Sequence, residues 1–151
     1  VGSPAWDKGV QLFDSEIEKG LETAWISSDS NLTMSSPPGA RPAVLIIDDE
    51  PLLVECFVEN FADCGVELIG LSDPQRAQEL ARERTFAAAF FDYRMPKISG
   101  LELSRSFPPA TRKFLITGEL GLETPPGFEA VIGKPYSFQQ IEKILRSLAA
   151  A

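Results

Sequence analysis

Residues 43–49 read AVLIIDD and residues 86–92 read FAAAFFD, and each is an unbroken apolar run that ends on aspartate. Short apolar runs without alternation are what a strand buried on both faces requires. The stretches 66–71 (VELIGL), 113–116 (KFLI) and 130–132 (AVI) have similar character. Between them the period changes. Residues 51–64 place Leu53, Cys56, Phe57, Phe61 and Cys64 at helical spacing, and Gly65 supplies the left-handed stop. Ser72 or Asp73 caps a helix with Pro74 in its first turn, running to about Arg84. A shorter helix from Ser99 to Ser106 stops before Pro108 and Pro109. Ser137 opens a last helix whose Phe138, Ile141, Leu145 and Leu148 form one stripe. Strand and helix alternating five times predict an α/β doubly wound, five-stranded parallel sheet covered on both faces.

Composition narrows the function. The chain has 151 residues, 44% hydrophobic and 24% charged, enough to bury a core. Its net charge of −8 argues against sequence-independent binding to a nucleic-acid backbone, which needs a basic footprint. There is no histidine, which excludes a Ser-His-Asp hydrolase and histidine-ligated zinc. Cys56 and Cys64 stand eight residues apart in one expected helix, roughly 12 Å at the helical rise, too far for a disulfide. They read as small buried hydrophobes in a reducing compartment. No apolar run approaches a membrane span of about 20 residues, so a cytoplasmic location is expected.

Residues 27–42, SSDSNLTMSSPPGARP, read as a linker. It separates an N-terminal helical extension, 1–26, from the domain at 43–151. In the extension Val10, Phe13, Ile17, Leu21 and Trp25 recur at spacings of three and four, which predicts an amphipathic helix. Such a helix must bury its stripe, on its own domain or by homodimerisation.

In a parallel sheet of order 2-1-3-4-5, ligands sit at the carboxyl ends of the strands, where the order reverses. Asp48 and Asp49 follow the first strand, Asp92 the third, Thr117 the fourth and Lys134 the fifth. That order brings three carboxylates into one crevice, with a hydroxyl and an ammonium opposite. Close carboxylates shift their pKa values or bind a cation. Oxygen ligands with water access suit Mg²⁺, with Mn²⁺ a second candidate. A carboxylate beside such a metal is equipped to attack phosphorus.

At this point the sequence resembles the receiver domains of two-component signalling, the response-regulator or CheY-like superfamily. The matching motifs are IIDDE (46–50), FFDYRMPKISG (90–100), LITGE (115–119) and GKPY (133–136), within about residues 43–148. The resemblance implies a flavodoxin-like fold and a signalling domain that catalyses only its own phosphorylation and dephosphorylation. It implies that Asp92 is the phosphoacceptor. Asp49, Asp92 and the backbone carbonyl of Arg94 would ligate Mg²⁺, with Asp48 acting through water. Thr117 and Lys134 would contact the phosphoryl group, and the Lys134–Pro135 bond would be cis. The donor would be a histidine kinase or a histidine phosphotransfer protein, and the output a change of protein partner. The alternative is a pseudo-receiver that serves as a phosphorylation-independent scaffold. An aspartate-nucleophile phosphatase fits poorly, because Glu50 stands where such enzymes place a second aspartate.

The departures from the family bear on output. Sixteen residues separate Thr117 from Lys134, and they include Gly118, Gly121, Pro125, Pro126 and Gly127. A full helix cannot be sustained there, so the fourth helix is expected to be shortened or missing. The family's aromatic three residues before the lysine is here Val131. A missing helix exposes one sheet face, and the N-terminal stripe is a candidate to cover it. Arg94 and Glu119 each lie two residues past a site residue. They are candidates to pair and gate hydrolytic water.

Overall fold

The structure, a computed structural model, describes Gln11–Leu12 and residues 41–150. Strands β1 (Gln11–Leu12), β2 (Ala43–Ile47), β3 (Glu67–Leu71), β4 (Ala88–Asp92), β5 (Arg112–Thr117) and β6 (Ala130–Gly133) form one sheet. Its order is β1-β3-β2-β4-β5-β6 and every neighbouring pair is parallel. Counted by themselves, β2 to β6 have the expected order 2-1-3-4-5. The helices are α1 (Pro51–Asn60), α2 (Pro74–Glu83), α3 (Gly100–Ser104) and α4 (Phe138–Ala150).

Alternation along the strands divides the core in two. Val44, Ile46, Leu68, Ala88, Phe90, Phe114, Ile116 and Ile132 pack with Val54, Phe57 and Val58 of α1 and Ile141, Leu145 and Leu148 of α4. The intervening residues Leu45, Ile47, Ile69, Leu71, Ala89, Phe91 and Leu115 face α2 and α3 through Ala77, Leu80 and Leu103. Each such side chain contributes about 1.5–3 kcal/mol relative to exposure. Phe90 and Phe91 thus lead into Asp92 from opposite faces of the sheet. Lys113 is a charge inside a core strand, and the carbonyls of Pro108 and Thr111 satisfy its ammonium at 2.8 and 2.9 Å. Burial lowers its pKa.

Several elements differ from the sequence expectation. Helix α1 ends at Asn60 rather than at residue 64, and Phe61 caps it through its N–H to the Phe57 carbonyl. Cys64 is buried as expected but Cys56 is exposed on α1, and both are free thiols. Gln11–Leu12, read as part of an N-terminal helix, instead form an extended edge strand on β3. An edge strand offers unpaired N–H and C=O groups, and pairing with them outweighs the weak propensity of a short polar helix. The rest of that helix and nearly all of the linker lie outside the described residues. Among the described residues no helix is long and apolar enough to cross a membrane.

No helix forms between β5 and β6. Two glycines in the connecting loop, Gly121 and Gly127, have positive φ, at 74° and 89°. The exposed sheet face is covered in part by the loop's own side chains, because Leu122 and Phe128 pack on the Phe91 and Leu115 side of the core. The Phe128 ring stands edge-on to Phe91 with centroids 6.0 Å apart. Two apolar residues without helical spacing leave no periodic signal; the N-terminal stripe named as a candidate cover lies outside the described residues. Leu120 in the same loop is 98% exposed. Phe128→Ala is therefore expected to lower unfolding free energy by about 1–2 kcal/mol in urea titration, and Leu120→Ala to leave it within about 0.5 kcal/mol.

Candidate functional site

The carboxyl ends of β2, β4, β5 and β6 converge as the topology requires. Each strand end is held by a main-chain bond that extends a ladder by one residue. Asp48 N–H donates to the Leu71 carbonyl at 3.2 Å, Tyr93 N–H to Ile116 at 2.8 Å and Lys134 N–H to Thr117 at 2.8 Å. The side chains at these positions are thereby placed by backbone geometry rather than by flexible loops.

Asp48, Asp49 and Asp92 each present a carboxylate oxygen, and the three oxygens lie within 4.8 Å of one another. Asp48 and Asp92 are buried while Asp49 is more open to solvent. Lys134 bridges the buried pair, its Nζ donating to Asp48 Oδ2 at 3.1 Å and to Asp92 Oδ1 at 3.0 Å. The second Asp48 oxygen accepts the Glu50 N–H at 3.0 Å. The Lys134–Pro135 bond is cis. Thr117 is buried, and its Oγ1 accepts the Glu119 N–H at 3.0 Å, which leaves its own proton available. Three oxygens at this spacing, with one open side, match the donor set that hard divalent cations prefer.

Burial pushes the Asp92 carboxyl up to about 6 from 3.8. The Lys134 hydrogen bond opposes this, while the Asp48 charge and the Asp49 hydrogen bond add to it. For Lys134, burial disfavours the charge, but its bonds to Asp92 and Asp48 outweigh that and raise its pKa.

Arg94 and Glu119 form an ion pair that bridges the loops after β4 and β5. Both side chains reach solvent, at 77% and 36% exposure, so the pair contributes little to stability. The Arg94 guanidinium lies 5.5 Å from the Tyr93 ring centroid. Glu119 raises the Arg94 pKa.

Sequence reading did not single out Gly100, although the loop after Asp92 closes through it. Its N–H donates to the Tyr93 carbonyl at 3.0 Å. A Cβ there would fall 2.5 Å from the Asp92 carbonyl oxygen, which only glycine avoids. Ser99 and Glu102 form a full capping box that starts α3 beside it, and their S-x-x-E spacing was visible in the sequence. The Leu71 carbonyl that anchors Asp48 left no comparable trace.

The profile of the response regulator receiver domain matches residues 44–119, half of the chain. The polar-differentiation response regulator DivK of Brucella anthropi is 28% identical over 115 residues, covering 70% of this chain and 94% of DivK. The sensor protein TorS of Escherichia coli is 25% identical over 111 residues, 68% of this chain but only 12% of TorS. A CheY-like receiver domain from Methanospirillum hungatei superposes with a TM-score of 0.64 at 25% identity, over 74% of this chain and 96% of that one. This chain belongs to the response-regulator receiver family and is a domain of two-component signalling. The profile match stops at Glu119, at the start of the loop in which the fourth helix was expected to be shortened or missing.

The Asp92 shift has a consequence for stability without divalent cations. A folded-state value above 3.8 means that the native state holds this proton more tightly than the unfolded chain. The contribution is complete below pH 3.8 and is lost as the pH rises through about 6. In EDTA, unfolding free energy is expected to fall across that window by on the order of 2 kcal/mol from this group, and Asp92→Asn to flatten the decline. Urea titrations at several pH values measure both.

Proposed function

We propose that this domain accepts a phosphoryl group on Asp92 from a phosphohistidine donor and thereby changes its protein partners. The observation that carries this reading is the Lys134 ammonium placed 3.0 Å from Asp92 and 3.1 Å from Asp48, beside the three-carboxylate cluster. A nucleophile, charge neutralisation and an open side are then available within one pocket, which is most of what phosphoryl transfer needs.

Asp49 and Asp92, with the backbone carbonyl of Arg94, would hold Mg²⁺ directly, and Asp48 would do so through water. When bound, Mg²⁺ supplies positive charge that offsets the carboxylates and the phosphoryl oxygens. A value of about 6 leaves most of Asp92 ionised at neutral pH, as a nucleophile must be. An Asp92 oxygen forms the new O–P bond while the P–N bond to the donor imidazole breaks, and the electron pair leaves with the nitrogen. Lys134 exchanges its bond to the Asp92 carboxylate for one to a phosphoryl oxygen. Thr117 donates a hydroxyl hydrogen bond to another, while its oxygen still accepts the Glu119 N–H. These 151 residues contain no histidine, so the donor is a histidine kinase or phosphotransfer protein outside them.

The Arg94–Glu119 pair stands over the loops that flank Asp92 and Thr117 and slows loss of the phosphoryl group by obstructing water. Incubation with acetyl phosphate and Mg²⁺ is expected to add one phosphoryl mass to the wild type and none to Asp92→Asn. An unmodified wild type would favour the scaffold reading instead. Arg94→Ala is expected to raise the rate of dephosphorylation by about threefold to tenfold, followed by the decay of the adduct mass, whereas an unchanged rate would remove the gate.

A further inference from the structure

The outer edge of the sheet beside β3 is not left open. Gln11 pairs with Ile69 and Leu12 with Gly70, parallel to β3, and this added strand also lies against α1. Leu68 to Leu71 of β3 are buried although β3 is the outermost of the five core strands. Residues 68–71, LIGL, contain no charge and no proline, the usual devices that protect an edge. Charge and proline stand only at the ends of β3, in Glu67 and Asp73–Pro74, and leave its middle unprotected. Gly70 sits within β3 opposite Leu12, and a glycine inside a strand often marks the close approach of another backbone. The residue after Gly70 is Leu71, whose carbonyl holds the Asp48 N–H at 3.2 Å.

We infer that the β3 edge is a strand-docking site, occupied in cis by Gln11–Leu12, and that its occupancy is coupled to cation binding in the acid pocket. The coupling path is short. The added strand fixes Gly70, the next carbonyl fixes the Asp48 main chain, and Asp48 carries one of the three clustered carboxylates. A segment that steadies the pocket binds better when the pocket is filled, and the dependence runs equally in the other direction. The N-terminal segment is then a second input to the receiver, since whatever removes it from the edge weakens the pocket. The cation part of this inference rests on the function proposed above, and the strand docking does not.

The full chain and a full-length Gln11→Pro/Leu12→Pro variant separate the two parts, because proline removes the N–H groups that a strand donates. Amide hydrogen exchange of Gly70, whose N–H faces the added strand while those of Ile69 and Leu71 face β2, is expected to speed up in the variant, with the α4 amides unchanged as a control for folding. Calorimetric titration with MgCl₂ is expected to show an affinity about threefold or more weaker in the variant. In the wild type, protection of the Gly70 amide is expected to be the same at high and low protein concentration. Unchanged exchange in the variant would overturn the docking, and protection that disappears on dilution would overturn its being in cis. Faster exchange with an equal Mg²⁺ affinity would overturn the coupling. A wild type that takes no Mg²⁺ would defeat the proposed function and with it the coupling, and the exchange result would still decide the docking.

Discussion

Two buried carboxylates and one lysine hold the active end of this domain together. Asp48 and Asp92 would repel each other in the low-dielectric space between β2 and β4, and Lys134 sits between them within hydrogen-bond distance of both. The arrangement satisfies the charges only in part. Asp92 keeps a raised pKa despite its ammonium partner, because burial and the neighbouring Asp48 and Asp49 outweigh it. A pocket with residual negative charge and one open side could hold a divalent cation. Stability and function pull in opposite directions here, as is common where charges cluster at a site.

The fold makes that arrangement possible by geometry rather than by local sequence. A parallel sheet puts all strand ends that carry function on one side, and the order reversal between β3, β2 and β4 opens the crevice there. The backbone then positions the donors. Ladder bonds continue one residue past β2 and β4 and link the start of the β6 loop to Thr117. Gly100 lets the chain turn back tightly against the Asp92 carbonyl, where any Cβ would collide. The loop after Thr117 is held by Leu122 and Phe128 on the sheet, by the Arg94–Glu119 and Arg112–Glu129 ion pairs and by the Glu129 N–H on the Lys113 carbonyl.

Much of this was legible in the linear order of residues. Apolar runs that end on Asp48 and Asp92 announce buried strands, and the Pro-Gly content of 118–127 led to the expectation of a shortened or missing fourth helix. The convergence of Asp48, Asp49 and Asp92 followed from strand order alone. The pairing of Arg94 with Glu119 was expected from their positions and is present. Those inferences succeed because period, chain breakers and strand order are properties of short segments or of topology.

Other features depended on contacts between distant segments, which no local pattern encodes. Gln11–Leu12 lie in a stretch with helical spacing, yet they join the sheet because the unpaired groups of β3 need partners. Leu122 and Phe128 cover a sheet face without any periodic signal, since only the position of Phe91 and Leu115 gives them a place to pack. Cys56 has core spacing but faces solvent, because α1 turns that side away from the sheet. The linear order of residues determined the class of fold, the identity of the pocket residues and the missing helix. Tertiary structure alone decided what covers each exposed edge and face, because burial and hydrogen-bond satisfaction are settled by whichever segment arrives, not by the segment left open.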